Sequence, residues 1–159
     1  MKPGSIAMVR FGLLIAVFIV ALDQASKWWL LELMGRDPRV IEVTPFFNLV
    51  LGLNRGVSFG LFDSAEMGPW PFLLLAAAIT VALLVWLAKA GQRWTATALG
   101  LIIGGAVGNA IDRVRFGGVV DFLDFHALGR HWPAFNVADS AICIGVIMIL
   151  IESLLARRR

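Results

Sequence analysis

Four apolar runs of about twenty residues each constrain the fold of this chain more than any other feature. They cover residues 9–31, 70–88, 95–115 and 135–156, approximately. A helix needs about 20 consecutive apolar residues to cross the hydrocarbon core of a bilayer, and only 16% of all residues are charged. We therefore predict a membrane α-helical protein with one domain over residues 1–159 and four transmembrane helices.

The basic residues predict the orientation of these helices. They lie before or at the start of the first run, between the second and third runs, and at the end of the chain: Lys2, Arg10, Lys89, Arg93, Arg157, Arg158 and Arg159. In a four-helix arrangement these places share one side, and basic residues of short loops stay in the cytoplasm. We therefore predict that both termini are cytoplasmic. The pI of about 9.8 then reflects membrane topology, and we expect no nucleic-acid partner.

The first long loop, residues 32–68, has the composition of a small β-sheet rather than of a connector. It is rich in Val, Phe and Leu, with glycines and a proline as punctuation, which predicts two or three short strands outside the membrane. Residues 64–70 predict a short interfacial helix. Asn54, in an Asn-Arg-Gly sequence, is either a turn residue or an amide that reaches a substrate backbone.

Charged and polar residues cluster at the ends of the apolar runs, where an ionised group is costly unless it is paired. Asp23 and Lys27 are four residues apart on one helical face, which predicts either a local ion pair at the interface or an inward-pointing pair that organises a site. Asn109, Asp112 and Arg113 share a face at the end of the third run. For Asp112 we favour a structural pair with Arg113.

Small residues recur through the third run. Gly100, Gly104, Gly105 and Gly108 form overlapping small-xxx-small pairs. This spacing is typical of helices whose backbones approach closely. We therefore predict that the third helix packs tightly in the bundle.

Three further aspartates lie between the third and fourth runs. Alternation in the sequence VVDFLDFH predicts a short strand that carries Asp121 and Asp124. Asn136 precedes Asp139 by three residues where the last helix begins, which predicts a variant of the capping box. Two carboxylates held a few ångströms apart share one proton, so one can act as acid and the other as base. From the residues alone, either Asp121 or Asp124 is a possible partner for Asp139.

Other chemistries fit the sequence less well. Serine catalysis lacks a nucleophile-elbow pattern around Ser58 or Ser140, and a zinc site would need His126 and His131 without the usual spacing. We expect these histidines to be polar loop residues, and we predict no metal and no cofactor. The competing function is a small polytopic transporter or proton-coupled channel that uses the same carboxylates.

Five motifs, in order along the chain, resemble those of the lipoprotein signal peptidase (signal peptidase II) family. They are ALDQASK, NRGVSFG, GNAIDR, VVDF and FNVADSAI. The resemblance implies a bacterial inner-membrane aspartyl endopeptidase with a periplasmic β-cradle. Such an enzyme removes the signal peptide of diacylglyceryl-modified prolipoproteins, cutting just before the lipidated cysteine.

The family motifs also imply roles for individual residues. Asp121 and Asp139 match the catalytic pair, which activates a water near the periplasmic face. The supporting positions of the family fall on Asp23, Lys27, Asn54, Asn109, Arg113 and Asn136. The implied partners are prolipoprotein substrates and membrane lipid, and we expect a monomer.

Overall fold

The computed structural model describes residues 3–35, 39–56 and 70–156. Over these ranges it contains helices α1 (Pro3–Met34), α2 (Trp70–Leu87), α3 (Arg93–Phe116) and α4 (Val137–Ala156), and strands β1 (Ile41–Thr44), β2 (Phe47–Asn54), β3 (Val119–Ala127) and β4 (Arg130–His131). The predicted interfacial helix lies outside the described residues, except that Trp70 begins α2. The arginines at 157–159, used above for orientation, lie outside them too.

The four helices of the described ranges are each long and apolar enough to cross a membrane. Large apolar side chains point away from the bundle, among them Leu14, Phe18, Leu74 and Ile147, all more than half exposed. A water-soluble bundle would bury such side chains, whereas lipid solvates them. The prediction of a membrane fold with four transmembrane helices is confirmed.

Helix α3 occupies the centre of the bundle and packs against α1, α2 and α4. Its glycines allow this. A Cβ added to Gly104 would lie 2.7 Å from the carbonyl oxygen of Ala16, and one added to Gly100 would lie 2.5 Å from that of Gly12. The backbones of α1 and α3 therefore touch, as the small-residue spacing predicts, and the polar end of α3 is held in a fixed position.

A four-stranded antiparallel sheet with the order β1-β2-β3-β4 caps one end of the bundle. Strand β2 comes from the loop after α1, whereas β3 follows α3, and the two pair with Asn48 opposite Asp124 and Asn54 opposite Val119. The sheet packs on α1 through a cluster of Leu30, Met34 and Phe122. It therefore joins two segments that are distant in sequence and brings β3 against the helix ends.

Candidate active site

Asp121 and Asp139 line the same cavity, which has a volume of about 770 Å³ and lies between the sheet and α4. Asp121 projects from β3, and Asp139 lies in the first turn of α4. Asn54, from the end of β2, and Cys143, one turn further along α4, also line the cavity. The structure thus brings together three of the residues that the motifs single out.

The side chain of Asn136 contacts both carboxyl-bearing residues. Its Nδ2 donates to Oδ1 of Asp121 at 2.7 Å, and its Oδ1 accepts the backbone N–H of Asp139 at 2.9 Å. The backbone N–H of Asn136 donates in return to Oδ2 of Asp139 at 3.2 Å. This reciprocal pair is the predicted capping box. The cap and the site therefore share one residue, and neither role excludes the other.

Asp121 is almost fully buried and is held by two neutral amides. Besides Asn136, Nδ2 of Asn54 donates to its Oδ2 at 3.1 Å. Burial, followed by the nearby charge of Asp139, raises the pKa of Asp121 to about 6, although both amides and the more distant Lys27 favour the ionised form. Asp121 therefore keeps its proton to a higher pH than an ordinary aspartate does.

Asp139 has a different set of donors. Nδ2 of Asn109 donates to its Oδ1 at 2.8 Å, and its place in the first turn of α4 puts it where a helix N-terminus stabilises negative charge. Oδ1 of Asn109 in turn accepts from Nζ of Lys27 and from Nδ2 of Asn136, each at 3.2 Å. These contacts fix the orientation of the Asn109 amide, with its NH₂ group toward Asp139.

Asp23 and Lys27 form the predicted ion pair, and the pair points inward. Nζ of Lys27 lies 2.8 Å from Oδ2 of Asp23 and 2.8 Å from Oδ2 of Asp112. All three side chains are buried. The predicted pair between Asp112 and Arg113 is wrong, because Asp112 turns toward α1, where it meets Lys27.

Arg113 instead turns to the opposite side of the site. Its guanidinium donates to the carbonyl oxygens of Asn109 and Gly56, at 3.3 and 3.4 Å, and lies over the ring of Phe72. It lines a second cavity, of about 300 Å³, between α2, α3 and α4, and Asn54 and Asp139 line this cavity as well. Within the described residues the buried Nε of Arg113 has no hydrogen-bond acceptor.

Asp124 does not line either cavity. It accepts hydrogen bonds from Nδ2 of Asn48 and from Nδ1 of His131, both at 2.9 Å. Burial alone would raise the pKa of Asp124, but the hydrogen bonds from His131 and Asn48 outweigh burial and lower it. His126 and His131 are stacked strand residues of β3 and β4, so their prediction as loop residues is wrong.

Sequence reasoning missed two participants in the polar network. Gln24 donates from Nε2 to Oδ1 of Asp112 at 2.9 Å and to the carbonyl oxygen of Gly108 at 3.2 Å. Asp112 was predicted only as a partner of Arg113. Gln24 lies in the motif ALDQASK and Asp112 in the motif GNAIDR. Their place in these motifs is the one sign in the sequence that they belong to the network. Over residues 3–35, 39–56 and 70–156, no three His, Cys, Asp or Glu side chains form a group suited to a metal ion.

The model of the family described as Signal peptidase (SPase) II matches residues 15–155. The chain belongs to the signal peptidase II family. It is 47% identical to a lipoprotein signal peptidase of Rhodopseudomonas palustris (strain TIE-1), over 92% of this chain and 93% of that protein. It is 46% identical to a lipoprotein signal peptidase of Aeromonas hydrophila, over 91% of this chain and 89% of that protein. The resemblance predicted from the motifs is confirmed.

Solved structures agree with this membership. One, described as a bacterial membrane enzyme structure determined by the in meso method, has a TM-score of 0.79 and 36% identity, and the match covers 90% of this chain and 87% of that chain. A second structure with the same description has a TM-score of 0.76. The signal peptidase II chain is thus a membrane enzyme of the aspartic peptidase class.

Proposed function

We propose that this signal peptidase II cleaves the signal peptide from diacylglyceryl-modified prolipoproteins just before the lipidated cysteine, with Asp121 and Asp139 as the catalytic pair. One observation carries the proposal. The two carboxyl groups line one cavity and share Asn136, and within the described residues no cation lies in hydrogen-bond contact with either. A pair held only by neutral donors keeps one mobile proton, which acid/base catalysis by two carboxylates requires.

The donors suggest which carboxylate has which role. Asp139 lies at a helix N-terminus and accepts from Asn109 and from the backbone of Asn136, so it is the base that takes a proton from a water held between the pair. The water oxygen attacks the scissile carbonyl. Asp121, with a pKa of about 6, donates its proton as the C–N bond breaks, and the amine leaves without a covalent acyl-enzyme.

The supporting residues hold the substrate where the two cavities meet. Asn54 and Asp139 line both cavities, so the scissile bond lies beside them, and the peptide follows the edge of the sheet. The smaller cavity is walled by Leu75, Ile79 and Ile142 of α2 and α4, which suits the acyl chains of a diacylglyceryl group. Arg113, which also lines this cavity, binds a carbonyl oxygen next to that group.

The same geometry suggests the orientation in the membrane. The sheet and the carboxylate pair lie at the end of the bundle where α1 and α3 finish and α4 begins. Arg10, Lys89 and Arg93 lie toward the other end. By the positive-inside rule, both termini face the cytoplasm and the active site lies near the periplasmic face of the inner membrane.

A cleavage assay tests the proposal. Purified protein is incubated with a diacylglyceryl-modified prolipoprotein, and mass spectrometry follows the loss of the signal peptide. Asp121→Asn and Asp139→Asn each remove a proton-transfer group, so we expect the rate to fall by about 10²–10⁴-fold. The same prolipoprotein with an unmodified cysteine should remain uncut by the unaltered enzyme.

Asp124→Asn is the matched control, because it neutralises an aspartate of the same strand that lies outside the cavity. It should cleave at close to the normal rate. The catalytic assignment fails if a folded Asp121→Asn or Asp139→Asn protein cleaves as fast as this control. No cleavage by the unaltered enzyme would instead favour the transporter alternative.

A further inference from the structure

Asp112 is connected to the catalytic pair through the backbone of β3. Its Oδ2 accepts the backbone N–H of Val120 at 3.1 Å, and Val120 directly precedes Asp121. The same oxygen lies 2.8 Å from Nζ of Lys27. A peptide N–H fixed in this way restrains the adjacent residue, so Asp112 restrains the backbone from which Asp121 projects.

Asp23 makes the equivalent connection to α4. Its Oδ1 accepts the backbone N–H of Ala138 at 3.0 Å, and Ala138 directly precedes Asp139. Its Oδ2 lies 2.8 Å from Nζ of Lys27. Lys27 therefore joins two carboxylates, each of which holds the residue before one member of the pair.

We propose that Asp23, Lys27 and Asp112 form a brace that sets the separation of the Asp121 and Asp139 carboxyl groups, with Asp112 as a positioning residue. This inference rests on the proposed function, because it requires that pair to be catalytic. Lys27 also donates to Oδ1 of Asn109 and so aims the amide of Asn109 at Asp139. The brace thereby acts on Asp139 by two routes.

The composition of the brace favours a positioning role over a stabilising one. Asp23, Lys27 and Asp112 are at most 2% exposed. Buried ion groups are often no more stabilising than apolar side chains of similar size, because desolvation offsets their attraction. Charged hydrogen bonds are short and directional, so these groups fix the positions of the atoms that they join.

The connection between α3 and β3 explains why such a restraint is needed. Strand β3 follows α3 after only Gly117 and Gly118, and Gly117 has a φ of 70°. A two-glycine turn restrains the following strand weakly. The contact from Asp112 to Val120 spans this turn and fixes the strand to the helix.

Variants at Asp112 test the brace in the cleavage assay described above. Asp112→Asn keeps an oxygen acceptor for Val120 but loses the charge that binds Lys27, and Asp112→Ala loses both contacts. A displacement of about 1 Å at a catalytic group can cost about 100-fold in rate. We therefore expect kcat to fall about 10-fold in Asp112→Asn and about 100-fold in Asp112→Ala, with KM changed less than about 3-fold.

Gly108→Ala tests the other arm without removing a charge. A Cβ at residue 108 would lie 2.6 Å from Oδ2 of Asp23, so the carboxylate must shift from the position in which it contacts Lys27 and the backbone of Ala138. The expected loss in kcat is about 10-fold. The two carboxylates repel each other, so they should move apart when the brace is lost. The weaker repulsion makes the proton donor of the pair more acidic, and the alkaline limb of the kcat profile should therefore move to lower pH in this variant and in both Asp112 variants.

Asp124→Asn again serves as the control, since it loses a buried carboxylate of β3 that the brace does not contact. Folded fraction is measured for each variant by gel filtration and thermal unfolding, and kcat is expressed per folded molecule. If Asp112→Asn and Gly108→Ala have the kcat of the unaltered enzyme and the same pH profile of kcat, the proposed brace is wrong. If the unaltered enzyme does not cleave, or Asp121→Asn cleaves normally, the proposed function itself is wrong.

Discussion

Asp121 and Asp124 lie three positions apart on β3, yet their surroundings differ in almost every respect. Because side chains of a strand alternate between its two faces, an odd separation sends the two carboxyl groups to opposite sides of the sheet. Asp121 faces the cavity with Asp139, and its pKa is raised to about 6. Asp124 faces Asn48 and His131, and its pKa is lowered.

Burial raises the pKa of both carboxyl groups, and their partners determine whether a net rise remains. Both side chains are almost completely buried. Asp124 has the imidazole of His131 within 2.9 Å, whereas Asp121 accepts hydrogen bonds from two amides and has a second carboxylate nearby. A raised pKa follows when burial is combined with a like charge and with neutral partners.

The largest difference between the two aspartates should appear when the asparagine that donates to each of them is replaced by alanine. Asn136→Ala removes the donor to Asp121 and the cap of α4. We expect kcat/KM to fall by about 10²–10³-fold, the usual cost of losing one aimed donor, and stability to fall by about 1 kcal/mol from the lost cap. The cleavage assay and thermal unfolding measure the two effects.

Asn48→Ala is the matched variant on the other face, since Asn48 donates to Asp124. Loss of a hydrogen bond to a charged group costs about 1.5–3 kcal/mol, so this protein should lose stability by about that amount and still cleave normally. Equal losses of cleavage in both variants would mean that the sheet, and not the amide at Asp121, limits the reaction.

The stability of the aspartate-to-asparagine variants should depend on pH with opposite signs. The pKa of Asp121 rises from 3.8 to about 6 on folding, so the folded enzyme loses stability as the pH rises through this range. Asp121→Asn has no carboxyl group to ionise at this position, so it does not lose stability in this way. Above pH 6 it should be more stable than the unaltered enzyme by up to about 3 kcal/mol, at 1.36 kcal/mol per pKa unit, and the advantage should vanish below about pH 4.

Asp124→Asn should show the reverse dependence. Because folding lowers the pKa of Asp124, its charge contributes stability that is present at neutral pH and is lost as the pH falls through the folded pKa. This variant should therefore be the less stable protein at pH 7, with a difference that shrinks in acid. Denaturant unfolding between pH 4 and 8 compares both variants. Parallel curves would contradict the assigned environments.

The smallest effect is expected at the exposed end of the Asp124 cluster. His131 is 55% exposed, and an exposed ion pair contributes at most about 1 kcal/mol. His131→Gln should therefore lower Tm by no more than about 4 °C and leave cleavage within about twofold. A tenfold loss of cleavage would instead show that the β3–β4 hairpin, which leads to Trp132 in the cavity wall, controls the site.

Much of the fold follows from local patterns. Hydropathy alone predicts the four helices, because the bilayer sets both their length and their composition. The spacing of Gly100 and Gly104 predicts that α3 approaches a neighbouring helix closely, but it does not predict that this neighbour is α1. The alternation around Asp121 predicts β3. The pairing of β3 with β2 was not predicted, since it joins segments about 70 residues apart and no local signal encodes it.

In the candidate site, too, local sequence patterns predict some features, and others depend on distant segments. The capping box of Asn136 and Asp139 is local, so its spacing reveals it. The choice between Asp121 and Asp124 needed the family motifs, although the parity of a strand indicates that both cannot face one cavity. The contact between Asp112 and Lys27 depends on how α1 meets α3, which helix periodicity alone does not specify. The catalytic roles themselves stay predictions.

The pairing of β2 with β3 also determines when during biosynthesis the enzyme can become active. A chain is synthesised from its N-terminus, so β2 exists long before its partner strand, with α2 and α3 still to be inserted into the membrane. Asn48 and Asp124, which face each other in the sheet, are 76 residues apart. The cavity then closes only when α4 supplies Asp139. A partly synthesised chain therefore lacks one member of the proposed catalytic pair, and under that proposal proteolysis begins only after the last helix has been inserted.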